Sequence, residues 1–503
     1  MLRLEETIPD TPSGERTIAA FAARPVMIIA VLLGGLLLAV SDRYGYFGDE
    51  LYFVAAGHHL SWGYVDQPPL VPLLALLSDT IAPGWLPLLR IPPLLTTVGG
   101  VFVIAATARE LGGGRRAQVM AAAFYVVSPW VASGGHTLTT TSIDFFCWTT
   151  ITWLLVRWIR LRDDRLLLWA GLATALALQA KYLVVFLWLI VGLAVLVAGP
   201  RAMLRSKMLW LGMGIAALSA VPSGIWQAAH GFPQLKMGDA ISTEEFATVG
   251  GAGGFLTLFV LYCGLLGVPV AVYGLWRTIR LPQYRFIAIT AVALVVVFIV
   301  TGGRPYYPCG IVPVLWAFGA VGLEGPRKRW VPWAAWPALV AAAAFMMTSM
   351  PIWPVSTFRT LGVAADFVDM GSIGWPQVTD SVEGAYRALP EQVREHTAVV
   401  GDSFWTASVI DHYGPRDGLP TPFSPSRGYW YFGAPPESAT NVLYVGDNNA
   451  DVVSRHFHKV AKVAVLDNKL GVNTLYQGAP IYLFSGKDAP WSTLWPEIET
   501  LTG

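Results

Sequence analysis

Three carboxylates fall within 18 positions of one polar stretch: Asp49 and Glu50, then Asp66, with His58 and His59 between them. The stretch follows directly on an apolar run that ends near Ser41. A carboxylate held half out of water at such a boundary has its pKa lifted toward neutrality, where it works best as a general base. Residues 49–60 read as a short interfacial helix with Leu51, Phe53 and Val54 toward lipid and Asp49 toward a cavity. The plainer alternative is that Asp49 caps that helix, a favoured place for Asp; both roles can hold together. Further along, Lys181 stands alone between two apolar runs, where an isolated charge points to function or to simple snorkelling. Arg304, Tyr306 and Tyr307 open a late apolar run. They offer a planar cation and two phenols suited to a phosphate, or an ordinary aromatic belt. Arg90, at the start of another run, is a lesser phosphate candidate.

The elements that must position these residues are membrane spans. Hydrophobic residues make up 54 % of the 503 and charged residues 13 %, about half the usual charged share. Apolar runs recur at about 25–41, 88–108, 117–134, 142–157, 166–180, 182–198, 209–226, 255–276, 286–302, 308–323 and 331–350. These predict eleven helices, several shorter than the roughly 20 residues that cross a bilayer upright. Every second link is rich in Arg and Lys, as in Arg157, Arg160, Arg162 and Arg165, or Arg327, Lys328 and Arg329. Basic short loops stay inside, so the N-terminus is expected in the cytoplasm, and the cell (plasma) membrane is the expected location. A cleaved signal peptide ending near Ala39-Val40-Ser41 is the alternative for the first run. The candidate residues then gather on the outer face, in or beside loops 41–87 and 227–254 and the short link 303–307.

After Met350 the pattern changes. Residues 1–350 carry 24 basic and 17 acidic side chains, net +7, and residues 351–503 carry 10 and 16, net −6. Short β-rich runs at 397–400, 441–445, 460–465 and 481–484 alternate with helical stretches at 380–395 and 403–413, which argues a small α/β domain. Residues 415–436 hold six prolines and read as an irregular loop. No nucleotide-binding signature follows Gly401 or Gly446, so a passive or acceptor-guiding domain is expected. The expected organisation is a cytoplasmic lead, 1–24, a membrane domain, 25–350, and an extracytoplasmic domain, 351–503. Overall charge is +1, which gives no field for nucleic acid. Cys147, Cys263 and Cys309 lie in or beside apolar runs and read as buried.

The acidic pair after the first run, the sequence Asp66-Gln67-Pro68-Pro69-Leu70, the segment Ile225 to Pro233, and Arg304-Pro305-Tyr306-Tyr307-Pro308 together resemble glycosyltransferase family 39. This is a family of GT-C membrane enzymes that includes the bacterial aminoarabinose transferases and the protein O-mannosyltransferases. The resemblance implies a polytopic GT-C fold and a polyprenyl-phosphate sugar as donor. It implies a glycolipid, polysaccharide or protein acceptor and inversion at the anomeric carbon. It implies Asp49 as general base, with Glu50 in support, and Lys181, Arg304, Tyr306 and Tyr307 about the lipid phosphate. Where some members carry Glu-Lys before the double proline, this chain has Asp66-Gln67. Members of that kind bind a cation, so the resemblance makes Asp66, which keeps a carboxylate, and His230 the candidate ligands for a divalent metal ion; Gln67 loses a charge near the donor, which bears on the sugar and on the metal. A secondary transporter and a non-catalytic scaffold are the rival readings. No inverted repeat with paired helix breaks supports the first. The gathering of Asp49, Asp66, Lys181 and Arg304 on one side speaks against the second.

Overall fold

The computed structural model describes residues 18–325, 331–361 and 367–502. Most of the expected 1–24 lead and the basic trio Arg327, Lys328 and Arg329 lie outside the described residues.

Apolar sequence becomes helix along the whole N-terminal part. By length and composition alone, Ile91–Glu110 and Pro282–Val300 can each cross a bilayer, and four spans can if each bent pair counts as one. Shorter apolar helices match further expected runs: Ala23–Ala39, Arg165–Ala180, Val184–Ala198 and Tyr307–Leu323. Other runs are broken where the sequence carries proline or glycine. The run at 117–134 becomes Arg115–Val126 and Pro129–His136, split before Pro129, which suits a first helical position but not a helix interior. The run at 255–276 divides at Gly264, whose φ of +82° closes Gly251–Cys263 before Gly267–Arg280 begins.

The helices pack through small residues, as membrane helices do in the absence of a hydrophobic drive between them. Arg165–Ala180 crosses Lys207–Ser219 where Gly171 meets Gly212, and a Cβ on Gly171 would overlap the facing backbone. Trp148, Trp158 and Trp316 are fully buried inside this body. Its outside is apolar: Val300 is 77 % exposed, Val197 74 % and Leu218 71 %. Such a surface is an interaction site, and hydrocarbon is its natural solvent.

The two long loops contain helices of their own. In 41–87 these are Gly48–His58, Leu70–Ile81 and Leu86–Leu89; in 227–254, Pro233–Val249. Pro233–Val249 meets Gly251–Cys263 at a bend of 82°. The expected lipid-facing side of the first helix is not there. Leu51, Phe53 and Val54 are 1–7 % exposed, because the C-terminal part covers the helix.

That part holds a four-stranded sheet: β1 (Thr397–Gly401), β2 (Asn441–Val445), β3 (Phe457–Val465) and β4 (Pro480–Lys487). The order is β1-β2-β4-β3, with β1 and β2 parallel and the other pairs antiparallel. Alternation along the strands divides the sheet into two faces. Ala398, Val400, Val442, Tyr444 and Phe484 pack with Trp491 and Trp495. Val399, Leu443, Val445 and Ile481 face the helices Trp375–Arg387 and Phe404–Tyr413, in one core with Tyr46, Phe47 and Tyr52 of the first loop. The sheet and the first long loop are thus joined by continuous apolar packing.

Candidate active site

The first turn of Gly48–His58 carries both acids, and they point to different surroundings. Glu50 is fully buried and ion-pairs with Arg90, itself 2 % exposed. Arg90 Nε donates to Glu50 Oε1 at 3.0 Å and Nη2 to Oε2 at 2.7 Å. Its other donors go to the carbonyls of Ser41 and Gly45 and to His136 Nε2. All five guanidinium N–H groups are used, the full complement of an arginine. Glu50 also accepts from the backbone N–H of Phe47 and of Leu138. Glu50, not Asp49, therefore caps the helix. The pair locks the loop onto the helical body, which leaves Arg90 without a donor for a phosphate and Glu50 without a free oxygen lone pair of consequence.

Asp49 is largely buried but, among the described residues, has no salt-bridge partner. Trp405 of the C-terminal part donates its indole N–H to Asp49 Oδ1 at 2.7 Å. The close approach needs glycine at position 48, since a Cβ there would fall inside the Trp405 ring. Burial raises the Asp49 pKa above the ordinary carboxylate value; the Trp405 bond and the charges of Arg427, Arg304 and Lys181 oppose it. Asp66 lies nearby and accepts from Tyr52 Oη at 3.0 Å. Its pKa is pushed up to about 6 by burial, again against Arg427 and the Tyr52 bond. Gln67 is 2 % exposed, and its amide Nε2 is buried without a protein partner.

Lys181 sits in the three-residue link between Arg165–Ala180 and Val184–Ala198. Its Nζ donates to Thr141 Oγ1 at 3.0 Å and lies 5.0 Å and 4.8 Å from the ring centres of Tyr306 and Tyr307. Tyr306 stacks on Trp130. Arg304 donates to Glu244 Oε2 at 3.0 Å and lies 3.7 Å from Glu245 Oε1. The structure thus brings Lys181, Arg304, Tyr306 and Tyr307 together, and within electrostatic reach of Asp49.

The metal expectation finds no ligand set. Among the described residues, no three His, Cys, Asp or Glu side chains gather as a metal site would require. His230 stacks on Trp226 with ring centres 4.1 Å apart, and its Nδ1 lies 2.7 Å from the Trp226 carbonyl. His58 bonds Asp79, and His59 stacks on Phe432. In the same segment as His230, Gln227 ties the two long loops: its Nε2 donates to the Tyr64 carbonyl and its Oε1 accepts from Gln234 N.

Sequence reasoning missed Trp405, Arg427, Glu244 and Glu245. Glu244 and Glu245 lie on a helix read as loop. Arg427 lies in the proline-rich loop. Trp405 meets Asp49 across 356 positions, a distance over which no spacing rule operates.

Residues 66–226 match the family described as dolichyl-phosphate-mannose-protein mannosyltransferase. Over 92 % of this chain the fold is that of ArnT from Cupriavidus metallidurans in the apo state, with 98 % of that chain covered, 14 % identity and a TM-score of 0.61. The ArnT structure bound to undecaprenyl phosphate aligns with the same coverage and identity and a TM-score of 0.58. At this identity the likeness is one of fold. No curated protein matches the sequence. The family match takes in part of the first long loop and the helices after it, and the fold is shared over nearly the whole chain, so the chain is similar to the dolichyl-phosphate-mannose-protein mannosyltransferases in residues 66–226 and has a fold like that of ArnT.

Proposed function

We propose that the chain transfers a sugar from a polyprenyl-phosphate donor to an acceptor hydroxyl at the outer face of the membrane, with Asp49 as general base. The observation that carries this reading is the state of Asp49. It is a partly buried carboxylate with a raised pKa and, among the described residues, no ion pair, oriented by one indole N–H. One oxygen is held, which leaves the other to take a proton. The acceptor oxygen attacks the anomeric carbon, its proton passes to Asp49, and the bond from that carbon to the phosphate oxygen breaks. Polyprenyl phosphate leaves, and the configuration inverts. Lys181 and Arg304 supply charge to the departing phosphate, and Tyr306 and Tyr307 supply hydroxyl donors. Such preorganised donors act most strongly where water is excluded. The lipid bound in one ArnT structure is undecaprenyl phosphate, which supports a lipid phosphate of this class here. Asp66, Tyr52 and the unpartnered Gln67 amide are the polar groups left to meet the sugar.

Eleven crossings, with the N-terminus inside, put this site and the C-terminal domain outside. Ser438 is exposed, so Ser438→Cys should label from outside in intact cells; labelling only after permeabilisation would overturn the orientation. The function is tested by giving the purified protein labelled polyprenyl-phosphate sugars with a membrane extract as acceptor. Release of polyprenyl phosphate with label in the acceptor is expected. Donors that come back intact while label crosses a vesicle membrane would favour a transporter.

A further inference from the structure

The C-terminal domain is more than a cover. Arg427 lies at the edge of its proline-rich loop with a φ of +48°, a left-handed conformation that a side chain bearing a Cβ adopts at a cost of about 1 kcal/mol or more. Several contacts hold it there. Its N–H donates to the Thr500 carbonyl at 2.8 Å and its Nε to the Leu501 carbonyl at 3.1 Å. Its Nη2 donates to both oxygens of Glu244, at 2.7 and 3.0 Å, and the guanidinium lies 4.7 Å from the Phe404 ring centre. Glu244 is the same carboxylate that accepts from Arg304, so a residue of the sheet domain and one at the mouth of a membrane helix share one anion. The next residue, Gly428, lies flush on Tyr52, where a Cβ would overlap the phenol oxygen. Tyr52 in turn holds Asp66.

We infer that Arg427 is a positioning residue of the transfer reaction, supplied by the C-terminal domain: its side chain sets a cation against Glu244 and beside the other carboxylates of the site, and its backbone seats the domain edge on the first long loop so that Trp405 reaches Asp49. The inference rests on the reading of Asp49 as base. The charged and titratable groups that face Asp49 are Arg427 from the domain, Arg304 and Tyr306 from the link before Tyr307–Leu323, Lys181 from the link before Val184–Ala198, and Asp66 from its own loop. Those that face Arg427 are Glu244, Asp66, Tyr52, Tyr306 and Tyr476. Among the charges, Arg427 is the largest that opposes the effect of burial on Asp49 and on Asp66.

The test compares kcat against pH for full-length parent, Arg427→Gln, Arg427→Lys and Glu244→Gln, beside Asp49→Asn and a binding measurement with undecaprenyl phosphate alone. Removing the cation should raise the acid limb by about one pH unit, the low end of what a nearby opposite charge does, and lower kcat. Arg427→Lys should restore the limb to near the parent position. Lipid-phosphate binding should change less than kcat. Glu244→Gln, which removes a facing anion, should move the limb the other way, and it decides the matter if Arg427→Gln does not fold. Acid limbs that coincide with the parent in Arg427→Gln, or in Glu244→Gln when that variant decides, would overturn the role of Arg427 while leaving the base in place. Near-parent turnover in Asp49→Asn would instead remove the base, and the inference with it.

Discussion

On one side of the first turn of Gly48–His58, Glu50 lies under a fully used guanidinium and two backbone N–H groups. On the other, its neighbour Asp49 meets a single indole N–H. The two carboxylates are adjacent in sequence and both are withdrawn from bulk water, Glu50 fully and Asp49 in part, yet only one is neutralised. A buried charge costs least when paired and fully hydrogen-bonded, and Glu50 is so arranged. It serves the fold by fastening the first long loop to Arg90 and to the chain at Leu138. Asp49 retains a burial penalty that the fold leaves uncompensated, and its pKa rises as a result. Perturbed groups of that kind mark functional sites. The contrast gives the second acid of the pair a structural place and supports the proposal that the first is the base.

The contrast breaks most visibly through stability. Glu50→Ala or Arg90→Ala leaves an unpartnered charge in the core, which costs about 3–5 kcal/mol. Either variant should lose most folded protein, read as the thermal unfolding midpoint in detergent. A stable but inactive Glu50→Ala would move the chemistry to Glu50. The next effect is on the donor. Lys181→Ala and Arg304→Ala each remove a charged donor, worth about 1.5–3 kcal/mol, so lipid-phosphate affinity should fall by roughly tenfold or more while the fold survives. Parent-like affinity in both would detach these cations from the phosphate. The smallest effect concerns Asp66. Its folded pKa of about 6 lies above the ordinary carboxylate value, so the proton it binds stabilises the fold below about pH 4. That contribution is lost as pH rises through about 6. Asp66→Asn, which can still accept from Tyr52, should therefore unfold at higher temperature than the parent above pH 6 and match it near pH 4. Equal midpoints at both pH values would place Asp66 in water.

Much of this was readable before any coordinates. Hydropathy located the apolar runs, and proline and glycine account for where several of them break. Lys181 and the Arg304 to Tyr307 run stood out as polar groups at the ends of apolar segments, and they meet in space. The β runs at 397–400 and 441–445 fall within strands. What was not readable depended on a second surface. Residues 49–60 looked amphipathic toward lipid, but Phe404–Tyr413 covers them. The Leu70–Ile81 helix falls inside the stretch that the sequence presents as the long loop 41–87. The likeness between Asp49 and Glu50 in sequence concealed their difference, since Arg90 lies 40 positions away from one and Trp405 lies 356 from the other.

The claim that Asp49 is the base is tested most directly by Asp49→Asn, assayed for turnover and for undecaprenyl-phosphate binding on the same purified protein. Asn keeps the size of the side chain and an oxygen to accept the Trp405 N–H, but has no basicity. The helix keeps its Glu50 cap, so the unfolding midpoint should stay close to the parent. Turnover should fall by about 10²–10⁴-fold, the usual contribution of a positioned proton acceptor, with lipid binding changed far less. Near-parent turnover in well-folded Asp49→Asn would contradict the account.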